Sequence, residues 1–343
     1  MAPKFPQRKL GDELVSAIGL GCMGMSIVLS SGTNDEESLK VLTEAADMGI
    51  TFWDTSDYYG PFTNEELIGR WFKETGRRDE IFLATKFAHK IVDGRFEVHG
   101  EPDHVKDACA ASLKRLQTDR IDLYYQHRVD PKTPIEKTVE AMAQLKKEGK
   151  IRYLGLSECS ARTLQRAHNV HPIAAVQMEF SPFALEIEST QTNLLKTARE
   201  LGVKIVAYSP LGRGFLTGNI KSRDDFDEMD RRKMFPRFSE ENFAGNLRLV
   251  EALASIANEK GCTSGQLALA WVLAQGDDFI PIPGTKHVKY LKENAGALNV
   301  ELSKEDDARI RKTIESVGGS KGARYPEPFL SHCFGDSPEL GSN

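Results

Sequence analysis

Asp54, Lys86 and His127 each stand just past a short run rich in apolar residues, and Tyr59 follows Asp54 five positions on. A carbonyl that accepts hydride needs a proton for its developing alkoxide, and these four residue types can deliver one. A free phenol, with a pKa of about 10, keeps its proton at neutral pH and releases it reluctantly. An adjacent ammonium stabilises phenolate, a role for Lys86, and Asp54 would balance that buried charge, which is costly unpaired. An N–H of His127 would orient the carbonyl and stabilise charge in the transition state. The same lysine could form a Schiff base in aldolase-type lyase chemistry, so the four residues alone leave both reactions open.

Such a group needs elements that bring strand ends together. Residues 18–22, 50–53, 81–85, 121–125, 151–156, 174–178, 203–207 and 279–282 read as strands, most of them near-continuously apolar. That pattern fits strands buried on both faces in a parallel sheet. Amphipathic helices alternate with them. Asn34 and Glu37 predict a helix that stops at Gly49, and Thr263 with Gln266 predict a capping box. Thr133-Pro134-Ile135-Glu136 predicts another, with proline at the first helical position and Gly149 at the close. Repeated β-then-α units predict an α/β fold, a single (β/α)8 TIM barrel, whose strand C-termini converge on one face. A short hairpin over residues 8–18 would cap the barrel floor, and an extra helix would lie near the C-terminal end. The chain reads as a single domain over residues 1–343, with a core at about 9–317 and an irregular tail at 318–343. Residues 212–242, with a mixed-charge run at 223–233, read as a solvated surface loop; a lid over a ligand is the functional alternative.

Composition removes several classes of function. The 343 residues are 40% apolar, and 45 Lys+Arg against 50 Asp+Glu leave a net charge of −5, which gives nucleic acid or an anionic membrane no electrostatic attraction. No apolar run reaches the ~18 residues of a membrane-spanning helix. Met1-Ala2-Pro3-Lys4-Phe5 lacks the apolar stretch of a secretory signal. Five scattered cysteines form no CxxC pair and point to a reducing compartment, the cytoplasm by default. Gly19-Leu20-Gly21-Cys22-Met23-Gly24 matches GxGxxG, but residues 25–33 read as loop where the dinucleotide fingerprint needs a helix. His168 and His171 have ligand-like spacing without a supporting cluster, so no metal is assigned.

Longer stretches carry a family resemblance. Phe52-Trp53-Asp54-Thr55-Ser56-Asp57-Tyr58-Tyr59-Gly60, Thr85-Lys86 and Tyr125-Gln126-His127-Arg128 resemble the aldo-keto reductase superfamily. So do Gly155-Leu156-Ser157, Val176-Gln177, Ala207-Tyr208-Ser209-Pro210-Leu211-Gly212 and Ile282-Pro283-Gly284-Thr285. The variants at Ser157-Glu158 and Pro283-Gly284-Thr285-Lys286 look most like the branch of perakine reductase, pyridoxal reductase-like proteins and aryl-aldehyde reductases.

The resemblance implies NADPH-dependent reduction of an aldehyde or ketone, with Asp54, Tyr59, Lys86 and His127 catalytic and Tyr59 the general acid. It implies that Asp54, Ser157 and Gln177 border the nicotinamide carboxamide and that Tyr208 stacks on the ring. Ser209, Pro210, Leu211, Gly212 and Gly214 would wrap the pyrophosphate. Gly284, Thr285, Lys286, Tyr290, Glu293 and Asn294 would hold the adenosine end, and Met23 and Gly24 would touch the cofactor. Glu158 stands where many members carry Asn. Gly284 and Tyr290 replace basic residues, which leaves Lys286, assisted by Lys289, for the 2′-phosphate and favours NADP over NAD. Trp53, Tyr58, Phe87, Arg128, Phe180 and Phe183 neighbour strand ends and are expected around the pocket of a small carbonyl substrate, although core packing accounts for several equally well. The family also implies a nicotinamide-binding regulatory subunit as an alternative, and the sequence leaves a homo-oligomer open.

Overall fold

Strands that are apolar on both faces can be buried only inside a layer of helices, and the chain builds that arrangement. The computed structural model describes residues 5–26, 34–327 and 329–341. A hairpin comes first, β1 (Gln7–Leu10) and β2 (Glu13–Ser16). Alternating elements follow: β3 (Leu20–Gly21), α1 (Asp35–Met48), β4 (Phe52–Asp54), α2 (Thr63–Thr75) and β5 (Phe82–Phe87). A second hairpin, β6 (His89–Val92) and β7 (Arg95–Val98), precedes α3 (Pro102–Leu116), β8 (Ile121–Gln126), α4 (Ile135–Lys147) and β9 (Ile151–Ser157). Then come α5 (Ala161–Val170), β10 (Ala175–Glu179), α6 (Leu194–Glu200), β11 (Lys204–Tyr208), α7 (Glu240–Glu259) and α8 (Ser264–Ala274). β12 (Phe279–Pro281), α9 (Val288–Ala295) and α10 (Lys304–Ser316) complete the series, α10 being the extra C-terminal helix.

The eight strands β3, β4, β5, β8, β9, β10, β11 and β12 pair in parallel in that order. Main-chain bonds from Gly19 to Pro281 (2.9 Å) and from Gly21 to Pro283 (3.2 Å) join the first strand to the last and close a (β/α)8 barrel. The same closure accounts for two glycines of the GxGxxG stretch. A Cβ on Gly19 would meet the Phe52 carbonyl oxygen at 2.9 Å, and one on Gly21 the Ile282 carbonyl oxygen at 2.8 Å. These glycines allow strand approach, and a short 3-10 turn rather than an α-helix follows them. The reading of loop at 25–33 lies outside the described residues beyond Ser26, as do Met1 through Lys4.

Period-two alternation sorts the strand side chains. Phe52, Phe82, Ala84, Leu123, Tyr125, Ala175, Val206 and Ile280 fill the interior, and Leu10 and Val15 of the first hairpin join that cluster, so the hairpin plugs the floor as expected. The opposite faces pack with the helices into a much larger apolar layer. Asn34 caps α1 by accepting from the Glu37 N–H (3.2 Å), Gly49 ends it at φ 86°, and the Thr263–Gln266 capping box forms on α8.

Two expectations need correction. Pro134, not Thr133, is the N-cap of α4; the Ile135 N–H donates to the Ser337 hydroxyl (3.0 Å) and Glu136 pairs with Arg166 (2.8 Å), so the capping box is replaced by partners distant in sequence. Residues 212–242 are more than a solvated loop. They fold into 3-10 turns that bury Phe226, Arg237 and Phe238, although Met229 and Met234 stay exposed. Beyond α10 the described tail has one 3-10 turn (Phe329–His332) and is otherwise irregular, yet it is bound to the barrel: Gly335 donates to the Glu158 carbonyl (2.7 Å) and accepts from the Ser160 N–H (3.0 Å). The second hairpin was not anticipated.

Candidate active site

Strand parity turns Asp54 and Lys86 inward at the C-terminal ends of β4 and β5, whereas Thr85 points out and donates to Glu65 of α2 (2.6 Å). Lys86 is wholly buried, and its ammonium donates to Asp54 Oδ1, to the Thr55 carbonyl (2.8 Å) and to the Tyr59 hydroxyl (3.2 Å). Gln177 of β10 donates to the other Asp54 oxygen (2.7 Å). The loop after β4 returns Tyr59 over the barrel mouth, where its ring stands edge-on to His127 at 5.8 Å. The four residues expected to act together are therefore in one cluster.

Burial pulls the Lys86 pKa down, but Asp54 and Tyr59 outweigh it and the net direction is upward. The ammonium is thus charged, with its three N–H directions all engaged. That state is wrong for a Schiff-base nucleophile, which must be a free amine. For Tyr59, burial dominates and raises the pKa, while Lys86 opposes it. The sequence expectation named only the second effect. The resting phenol keeps its proton, and the ammonium waits beside the oxygen on which charge would develop. Burial, then His89 and Lys86, hold His127 well below the usual histidine range, so its ring is neutral. Ser56 Oγ lies 3.1 Å from His127 Nδ1 and 3.3 Å from Asp57 Oδ1.

Strand parity also decides the aromatic residues. Trp53 faces the helices against Trp71 and Phe72, Phe87 stacks on Tyr124 at 4.8 Å, and Phe180 packs on Trp271 and Phe279. Phe183 lies buried against Phe215 and Arg237. None of these four lines the mouth, because each sits on the outward face or under a loop. Tyr58 and Arg128 pack elsewhere. Tyr58 meets His89 and Phe96 of the second hairpin, and Arg128 lies over Tyr325 of the tail. His89, which the sequence reading passed over, stacks on His127 with ring centroids 4.0 Å apart. Asp93-Gly94, both at positive φ, is the hairpin signal that could have found this strand pair. Arg324 and Tyr325, also missed, carried no local signal.

Gln177 is buried against Asp54, and Ser157, also buried, donates to the Gln177 carbonyl (3.0 Å). Tyr208 is half-buried, with its hydroxyl bonded to Glu158 (2.8 Å) and 3.1 Å from the Tyr325 hydroxyl. Ser209, Gly212, Arg213 and Gly214 all have positive φ, a backbone that curls into a concave turn suited to an anion. Pro210 is buried, and Leu211 packs its side chain into the apolar layers, which leaves its backbone for a ligand. Met23 and Gly24 lie on the loop after β3, and a Cβ on Gly24 would meet open space. Thr285 and Asn294 are buried around α9, Gly284 and Tyr290 are exposed, and Lys286 is half-buried just before the helix. Glu293 accepts from Thr263 (2.8 Å) and so braces α8. A turn of four positive-φ residues, a pinned aromatic ring and lysines at a helix start are a donor set that fits a phosphorylated dinucleotide.

Comparisons with known proteins agree with this geometry. A family profile described as the aldo/keto reductase family matches residues 17–315. The aldo-keto reductase str7 of Strobilurus tenacellus is 54% identical over 343 residues, covering 98% of this chain and 99% of that protein. The aldo-keto reductase yakc of Schizosaccharomyces pombe, named for NADP(+), is 52% identical over 340 residues, with 98% and 99% covered. Among solved structures, the glycerol dehydrogenase AKR11B4 of Gluconobacter oxydans superposes with a TM-score of 0.84 at 26% identity, covering 94% of this chain and 98% of that one.

Proposed function

The chain belongs to the aldo/keto reductase family, and we propose that it reduces an aldehyde or ketone to the alcohol with NADPH, Tyr59 giving the proton. The observation that carries this is the buried line Asp54–Lys86–Tyr59, with the lysine 3.2 Å from the phenol oxygen. Bound NADPH supplies hydride to the carbonyl carbon. The protein's part is to hold the carbonyl oxygen between Tyr59 and the neutral His127, and to move the phenol proton onto that oxygen as charge builds. Lys86 then stabilises the phenolate, and Asp54, itself held by Gln177, keeps Lys86 in place.

Ser157, Gln177, Tyr208 and the turn at 209–214 are the residues we assign to the nicotinamide and pyrophosphate, and Thr285, Lys286 and Asn294 to the adenosine end. Lys286 leads into α9, whose N-terminus favours an anion, so it is the residue assigned to the 2′-phosphate. Lys286→Ala should weaken NADPH binding by about tenfold or more and leave NADH within about threefold, since only NADPH carries that phosphate. Titration of both cofactors checks this, and equal losses for both would remove Lys286 from the role.

We take Tyr58, His89, Phe96 and Tyr325, with Arg128 over the last, as the walls of the mouth. Flat polarised rings beside a guanidinium suit an aryl or fused-ring carbonyl better than a small aliphatic one. NADPH oxidation followed with aromatic, sugar-like and aliphatic carbonyls should rank the aromatic substrates first by kcat/KM. Absence of turnover with every carbonyl would favour a cofactor-binding regulatory role instead. Among the described residues no helix is long and apolar enough to cross a membrane.

A further inference from the structure

Glu158 follows β9 in a left-handed conformation (φ 50°) and is fully buried. Its Oε1 accepts from Arg324 Nη1 (2.8 Å) and from the Tyr208 hydroxyl (2.8 Å), and its Oε2 from Arg324 Nη2 (2.8 Å). A carboxylate has about four acceptor positions, and the guanidinium and the phenol hold most of them. Arg324 also reaches Glu179 at the end of β10 (3.4 Å). Glu179 in turn accepts from both terminal nitrogens of Arg213 (2.9 and 3.2 Å), on the turn that follows Tyr208. Arg237 lies beside Glu179 and donates to Glu186 (2.7 Å).

Three arginines and three glutamates therefore meet beneath the mouth, and only Glu186 is appreciably exposed. Apolar residues of equal volume would stabilise a fold at least as well as such a cluster, because desolvation opposes each pair. What ion pairs add is fixed geometry, and here the fixed parts are an aromatic ring and a turn of the cofactor cradle.

Resting on the reading of this mouth as a nicotinamide site, we propose that Arg324 is a positioning residue: through Glu158 it fixes the Tyr208 ring, and through Glu179 it joins that ring to the turn of Arg213. The tail is thereby part of the cofactor cradle. Its main-chain bonds at Gly335 hold it to the barrel independently of the guanidinium, so Arg324→Ala can remove the pair without releasing the tail.

The test is a double-mutant cycle on NADPH affinity, measured by titration calorimetry with Arg324→Ala, Tyr208→Phe and both together. If the arginine acts through the phenol, each single change raises Kd about tenfold and the double is no worse than the weaker-binding single. The pH dependence gives a second readout. Glu158 is faced by Arg324, Arg128, Tyr208, Glu179, Cys159 and Cys333, and Arg324 holds its pKa down at about 2 despite burial. Without Arg324 burial raises that pKa, so an ionised Glu158 disturbs Tyr208 at high pH and affinity recovers as pH falls. Glu158→Gln in the Arg324→Ala background should abolish that dependence, and this neutral pair also serves if the single variant folds poorly. Additive losses, a change in Kd under about twofold, or a pH-independent loss in Arg324→Ala would each overturn the proposal. Failure of the wild-type protein to bind NADPH would overturn the underlying functional reading instead.

Discussion

Tyr59→Phe should lower turnover by about 10²- to 10⁴-fold, the usual contribution of a positioned general acid, while NADPH Kd stays within about threefold. The change removes one oxygen from a ring that is 9% exposed and leaves the ring's contact with His127 intact. Lys86 loses one acceptor but keeps Asp54 and the Thr55 carbonyl, so the ammonium stays in place and the fold should lose little stability. Binding and chemistry thus separate in this variant, which steady-state kinetics and cofactor titration read independently. Full turnover in the variant would show that the proton comes from elsewhere.

Lys86→Met is expected to damage both stability and activity. It leaves Asp54, 2% exposed, without its counter-charge, and an uncompensated buried charge costs about 3–5 kcal/mol. Adding Asp54→Asn should recover most of that stability, because the second change removes the stranded carboxylate. Activity should not return, since the phenolate of Tyr59 would still lack its cation. Chemical denaturation and NADPH oxidation on the single and double variants check both halves. Recovery of turnover in the double variant would mean that Lys86 serves only to balance Asp54.

The strand ends were legible because alternation and position are local properties. Asp54 and Lys86 sit at the close of β4 and β5, and the parallel barrel brings such ends together whatever the loops do. The same alternation sorts the aromatic residues at the strand ends. If Asp54 and Lys86 point inward, Trp53 and Phe87 must point outward, and they do. The α4 start was misread because Ser337, far along the chain, supplies the partner that Thr133 was expected to provide. Glu158 reads from sequence only as a departure from Asn, since its guanidinium partner lies 166 residues away in a segment without periodicity. The hairpin of β6 and β7, by contrast, carried a readable Asp93-Gly94 turn, and with it His89 could have been placed beside His127.

The most direct test of hydride transfer is a single turnover with NADPH carrying deuterium at both nicotinamide C4 positions, using an aromatic aldehyde and the wild-type protein. Mass spectrometry of the alcohol should find the deuterium on the former carbonyl carbon, with Tyr59→Phe forming the same labelled product far more slowly. Unlabelled alcohol, or no alcohol while NADPH remains bound, would contradict the account.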